Sequence, residues 1–123
     1  MGDRRQEIGR KGEQVAEKFL KSSGYKILER NYRCPAGEID IIAEEKGILV
    51  FTEVRTLSGE GWGLPQMSIS FTKQKKIVKT SLYYLSEKRL WDRTCRFDVV
   101  AVTRPGEKEE SIELLRGAFE AEE

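Results

Sequence analysis

Gly37-Glu38-Ile39-Asp40-Ile41-Ile42-Ala43, followed by Ile48-Leu49-Val50-Phe51-Thr52-Glu53-Val54-Arg55, is the stretch on which the fold turns. Both runs have strand length and are rich in β-branched residues. Glu44-Glu45-Lys46-Gly47 between them reads as a hairpin loop. A loop of that length sets Ala43 against Ile48, Asp40 against Phe51 and Glu38 against Glu53. Alternation then puts Asp40, Ile42, Leu49, Phe51, Glu53 and Arg55 on one face. The other face, from Ile39 and Ile41 to Val54, is almost wholly apolar. Asp40 and Glu53 become diagonal neighbours within reach of a common ligand. A two-residue slip would preserve these faces. Two carboxylates this close need positive charge between them. An ordinary ion pair with Arg55 supplies it, and so does Mg²⁺, which accepts one or two carboxylates among its oxygen ligands.

The surrounding sequence supplies the rest of the domain. Upstream, Ile8 to Ser23 has helical spacing, with Ile8, Gly12, Val15, Ala16, Phe19 and Leu20 on one face and Gly24 as a stop. Tyr25 to Arg33 reads as a strand, closed by the turn Cys34-Pro35-Ala36-Gly37. Downstream, Gly59, Gly61, Gly63 and Pro65 break regular structure between Thr56 and Ser70, with Trp62 in the middle. Thr72 to Lys88 reads as a second helix with Ile77, Val78, Ser81, Leu82 and Leu85 inward. Arg96 to Thr103 is a near-continuous apolar run, which is the pattern of a strand buried on both faces. Ser111 to Leu115 reads as a last short strand. The order α-β-β-β-α-β, with a helix carrying the chain back to a parallel strand, predicts an α/β fold with a mixed sheet flanked by helices.

Composition narrows the chemistry. The chain of 123 residues has the size of one domain. It contains no histidine, which excludes His-based triads and His-ligated zinc. Cys34 and Cys95 lack metal-site spacing and read as reduced thiols. No run approaches the length of a membrane span, and no apolar segment follows Met1-Gly2-Asp3-Arg4-Arg5-Gln6. The expectation is a cytoplasmic protein with no membrane partner. The net charge of +1 conceals segregation: residues 69–96 hold eight basic and two acidic groups, while residues 34–68 hold two and six. Basic stretches on either side of an acidic one suit phosphates around a metal site, or are simply solvated faces.

Individual residues admit two readings. Lys73, Lys75 and Lys76 crowd the first turn of the second helix, where the macrodipole disfavours cations. A bound phosphate would resolve that conflict, and solvation would also tolerate it. Glu13 borders the apolar stripe of the first helix, either as a site acid or as a partner for a nearby base. Glu38 is a supporting acid or strand-edge charge, with the latter favoured. Asp98, inside an apolar strand, needs a partner such as Arg96 or a base on the first helix. Among aromatics able to stack on bases, Trp62 is a better candidate than Tyr83 or Tyr84.

The hairpin motifs, together with Lys11-Gly12-Glu13, Lys73-Gln74-Lys75-Lys76-Ile77 and Arg96-Phe97-Asp98-Val99-Val100, resemble the YraN family. That family is similar in fold to restriction endonucleases and archaeal Holliday junction resolvases, within the PD-(D/E)xK superfamily. The resemblance runs from Gly9 to Thr103 and implies one nuclease-like domain over residues 1–123 with an acidic C-terminal tail. It implies Asp40, Glu53 and the main-chain carbonyl of Val54 as ligands of Mg²⁺ or Mn²⁺. It also implies Glu13 as the helix-borne acid and Lys73 as the lysine opening the second helix. A nucleic-acid partner, DNA above all, would be held by Lys73, Lys75, Lys76 and Trp62. Resolvase relatives act as dimers, so the resemblance extends to a homodimer. Arg55 departs from the superfamily motif, which places Lys there. Arginine can bind phosphate but cannot act as a base near neutral pH. The expected function is therefore a Mg²⁺-dependent endonuclease or resolvase-like phosphodiesterase. The alternative is a nucleic-acid-binding module that cuts weakly or not at all.

Overall fold

The computed structural model describes residues 4–57 and 69–121. Helix α1 spans Arg4–Ser22, strands β1, β2 and β3 span Lys26–Cys34, Gly37–Glu45 and Ile48–Leu57, and helix α2 spans Phe71–Lys88. Strands β4, Cys95–Thr103, and β5, Ser111–Phe119, complete the fold. The last strand is longer than the short segment expected from sequence. The five strands form one sheet in the order β1-β2-β3-β4-β5. Every neighbouring pair is antiparallel except β3–β4, which is parallel and joined through α2. This is the α/β, restriction-endonuclease-like mixed sheet with a helix on each face.

Two apolar cores explain that layering. On one face Ala16 and Leu20 of α1 pack with Ile41, Ala43, Val50 and Val100. On the other, Ile77, Tyr84 and Leu85 of α2 pack with Ile42, Leu49 and Phe51. Strand β4 is buried from Phe97 to Val102, as its apolar run predicts. Tight packing of α1 depends on Gly12, where a Cβ would lie 2.9 Å from Cγ2 of Thr56. Gly24, at φ 95°, lets the chain turn out of α1 while Tyr25 N–H reaches the Leu20 carbonyl at 2.9 Å. The inward face of α2 differs from its expected pattern. Thr80 and Tyr84 are buried, whereas Leu82 is 46% exposed.

The hairpin register also differs from expectation. Only Lys46 and Gly47 form the turn, at φ 51° and 81°, and Glu45 pairs with Ile48. A two-residue turn with positive φ at both positions matches the twist of the flanking strands better than a four-residue loop. Pairing therefore moves by two residues. Ile42, not Asp40, lies opposite Phe51, and Glu38 pairs with Arg33 of β1 rather than with Glu53.

Asp98 is fully buried within this sheet and fully partnered. Arg96 donates to both carboxylate oxygens at 2.8 and 2.9 Å, Tyr25 donates its hydroxyl at 2.7 Å, and Gly117 N–H donates at 3.0 Å. Arg96 and Arg116 also clamp Glu45 at 2.7 Å each, and Arg116 first, then Arg96, holds its carboxyl down at about 2. The Arg96 partner is one of the two structural options open from sequence. Replacing Asp98 with Ala removes a fully buried acceptor from the half-buried Arg96 guanidinium, the Tyr25 hydroxyl and a main-chain donor of β5, leaving Arg96 with Glu45 alone as its carboxylate partner. Urea unfolding of Asp98→Ala is expected to show a loss of about 3–5 kcal/mol.

Candidate active site

β2 and β3 are paired from the turn as far as Ile41 and Thr52. Side-chain alternation then breaks: Ile41 joins the α1-side core, but Ile39 joins the α2-side core with Ile42. On β1, Asn31 lies between the pairs Arg30–Ile41 and Tyr32–Ile39 and takes φ 49°. Asp40 sits at this irregularity. Its Oδ2 accepts the Val54 N–H at 2.8 Å, so a side chain supplies the acceptor that a strand carbonyl would otherwise provide.

That bond sets Asp40 beside Glu53, close enough for the Glu53 carboxylate to act on its acidity. Burial and the Glu53 charge push Asp40 up to about 7, against the opposing pull of the Val54 N–H and Lys73. Glu53 is 7% exposed and forms an ion pair with Lys73 Nζ at 3.0 Å. Lys73 is placed by a helix cap: Ser70 Oγ accepts the Lys73 N–H at 3.2 Å at the start of α2. A cleft of about 410 Å³ opens here, lined by Glu53, Val54, Arg55 and Thr56 of β3 with Ser70 and Lys73.

Asp40 itself borders a second cleft of about 340 Å³ on the α1 side, lined by Arg10, Glu13, Gln14, Arg30 and Asn31. Burial raises the Glu13 pKa, and the charges of Asp40 and Glu38 raise it further, while Arg33 opposes them. With its amide nitrogen turned toward them, Asn31 donates to Glu13 at 2.8 Å and Glu38 at 3.2 Å. Glu38 also pairs with Arg33 at 3.3 Å.

The structure thus brings together Asp40, Glu53, Val54, Arg55 and Lys73, with Glu13 adjacent on the α1 side. It separates the other lysines from them. Lys75 lies over the Phe71 ring at 4.6 Å, and Lys76 packs beside Gly37. Tyr84 is buried against Tyr32 and Phe51 in edge-on contacts, so it cannot stack on a base. Trp62 lies outside the described residues. Ser70 and Asn31 are site residues that sequence reading passed over. Ser70-Phe71-Thr72-Lys73 carries a helix-cap signal for the first. A lone asparagine within a strand offers only its tolerance of positive φ for the second.

A metal ion fits the donor set at Asp40 and Glu53, a half-buried and a buried carboxylate with Lys73 paired to the second. Among the described residues no group of three or more Asp, Glu, Cys or His side chains is arranged around a common metal position. Among the described residues no helix is long and apolar enough to cross a membrane.

Comparison with known proteins finds relatives over most of the chain. Residues 12–102 match the Uncharacterised protein family UPF0102. A UPF0102 protein of Desulfosudis oleivorans is 48% identical over 121 residues, covering 98% of this chain and 96% of its own. Its counterpart in Syntrophus aciditrophicus is 49% identical over 112 residues, covering 91% and 87%. That of Moorella thermoacetica is 47% identical over 116 residues, covering 94% and 97%.

The acidity of Asp40 has a measurable consequence for stability. Its folded value of about 7 lies above the roughly 3.9 of an unfolded aspartate, so the folded state holds more protons between these limits. The resulting stabilisation is complete below about pH 4 and is lost as pH rises through 7. Asp40→Asn is expected to flatten this part of the stability profile. At pH 8 in metal-free buffer the variant should be more stable than the native protein by on the order of 2–4 kcal/mol, read from urea midpoints.

Proposed function

The chain belongs to the UPF0102 (YraN) family, and on that footing we propose that the cleft at Asp40 and Glu53 is the centre of a Mg²⁺-dependent DNA endonuclease or resolvase-like phosphodiesterase. One observation carries this reading: the half-buried Asp40 and the buried Glu53 carboxylates lie together where β2 and β3 part, with a lysine 3.0 Å from the second. Burying like charges together is costly unless a cation completes the site. Asp40, Glu53 and the carbonyl of Val54 would hold Mg²⁺ or Mn²⁺. A metal bound there supplies Lewis acidity toward a phosphoryl oxygen and lowers the pKa of water.

The chain's own groups do the remaining work. The Val54 N–H fixes the Asp40 carboxylate in place. Lys73, held at the pair by Glu53 at 3.0 Å, would offer its ammonium to the phosphate charge. Arg55, on the same cleft wall, gives a bidentate phosphate contact but cannot take a proton from water. Glu13, whose pKa is raised, exchanges protons with water on the α1 side.

A second reading is favoured by Arg55 together with the Lys73–Glu53 ion pair. Neither cation is then available as a base, and the domain holds nucleic acid while cutting it poorly. Linear, single-stranded, flap and four-way-junction DNA, each offered with Mg²⁺ or Mn²⁺, separate the two. The expected outcome is cleavage of at least one substrate, reduced about a thousandfold in Asp40→Ala, equivalent to ~4 kcal/mol of transition-state stabilisation. Binding without cleavage, with activity appearing only in Arg55→Lys, establishes the second reading instead. Failure to bind any of these DNAs, or RNA, eliminates both.

Independently of turnover, Mg²⁺ at pH 8 is expected to raise the melting temperature of the native protein. The same addition should leave Asp40→Asn unchanged, since a ligand stabilises only the state that binds it.

A further inference from the structure

The outward face of α2 is apolar where solvent would favour polar residues. Phe71 is 52% exposed, Leu82 46%, Tyr83 48%, and Trp91, just beyond the helix, 60%. Two clefts run along this face. One, of about 380 Å³, is lined by Phe71, Gln74, Lys75, Val78, Lys79 and Leu82, with Glu120 at its edge. The next, of about 530 Å³, is lined by Lys79, Leu82, Tyr83, Ser86 and Trp91, with the Pro35-Ala36 turn as its far wall. Lys79 and Leu82 belong to both, so the two form one trough. From Phe71 to Ser86 it follows the helix for about 22 Å at the α-helical rise.

This trough opens at the same end of α2 as the active-site cleft. Ser70 and Lys73 line that cleft, and Phe71 and Lys75 of the same helical turn open the trough. Lys75 and Lys79 give it positive charge, and Glu120 is the one acid among the residues named along it. Aromatic rings interleaved with lysines match the chemistry of an unpaired nucleic-acid strand, whose phosphates seek cations and whose base faces seek rings. A duplex presents phosphates outward and keeps its base faces stacked, so it has no use for Tyr83, Leu82 or Trp91. A second copy of the chain is a poor occupant, because a twofold axis through the middle of this face would set Lys79 against Lys79.

We infer that the outer face of α2, ending at Trp91, is a platform for a single strand of nucleic acid leaving the active-site cleft. The substrate then carries an unpaired segment beside the scissile phosphate. This inference rests on the proposed phosphodiesterase reading for the role of the cleft, but binding to the platform requires no metal.

The test is made in EDTA at low salt, so that binding is measured apart from cleavage. Fluorescence anisotropy compares a labelled twelve-nucleotide oligothymidylate with a blunt duplex for the native protein, Trp91→Ala, Tyr83→Ala and Lys79→Glu. The native protein should bind the single strand more tightly than the duplex, and Trp91→Ala should weaken single-strand binding about tenfold, as expected for one lost stacking platform. In a Trp62→Phe background Trp91 is the sole tryptophan, and its emission should be quenched by the oligonucleotide. Sedimentation of each variant reports any self-association.

Unchanged single-strand affinity in all three variants, or unquenched Trp91, overturns the platform. Loss of a dimer in the same variants also overturns it, in favour of a second copy as the occupant. Metal-dependent cleavage that persists beside unaffected single-strand binding leaves the enzyme reading intact and removes only the platform. Single-strand binding lost in Trp91→Ala, with no cleavage under Mg²⁺ or Mn²⁺, removes the enzyme reading and leaves the platform standing.

Discussion

The hydrogen bond from Val54 N–H to the Asp40 carboxylate organises the working end of this molecule. A main-chain donor at the end of a sheet ladder must find an acceptor, and here a side chain provides it. Everything local follows from that substitution. The β2–β3 pairing stops, Asp40 is held against Glu53, and the parted strands leave space between α1 and α2. Mobility of the carboxylate is also restricted, since moving it would orphan the amide. The geometry of the pair is therefore set by the backbone rather than by side-chain preference.

Two aspartates of the same sheet, Asp98 fully buried and Asp40 half-buried, show how differently such groups can be treated. Asp98 receives a guanidinium, a phenolic hydroxyl and a main-chain N–H, and it ties β5 to β4. Asp40 receives one N–H and a second carboxylate. The first is stabilised as an anion by the protein alone. The second holds its proton unless something from outside supplies positive charge. Asp98 is fully buried and Asp40 half-buried, and the neighbours each one meets separate a structural acid from a candidate reactive one.

The sequence made the element order legible because the local signals agreed. Helical spacing with Gly24 bounded α1, and the apolar run from Phe97 to Val102 announced a strand covered on both sides. The pairing of Asp40 with Glu53 was also legible, though by an imperfect route. The register was shifted by the compact Lys46-Gly47 turn, and strict alternation failed at Asp40 itself. Short-range patterns do not report where a ladder stops, because that depends on which side chain competes for an amide. The inward face of α2 was misread at Leu82 for a related reason. Thr80, Ser81 and Tyr84 fill the buried side, and an apolar Leu82 was left outside. Hydrophobicity alone does not distinguish a core position from a face that awaits a partner.

The parallel ladder has a consequence for the order in which the site is assembled. β1, β2 and β3 are joined by two-residue turns, so their pairing closes short loops. The ladder of β3 with β4 instead joins Leu49 to Cys95, and closing that long intervening segment carries the larger entropic cost. A hairpin alone can bring Asp40 beside Glu53, yet Asp40 would remain in water with ordinary acidity. Their burial and the approach of Lys73 come only once α2 has crossed over and β4 has docked. The unusual chemistry of the pair thus belongs to the closed topology, and any partly folded form that retains the hairpin but not the crossover is chemically inert at this position.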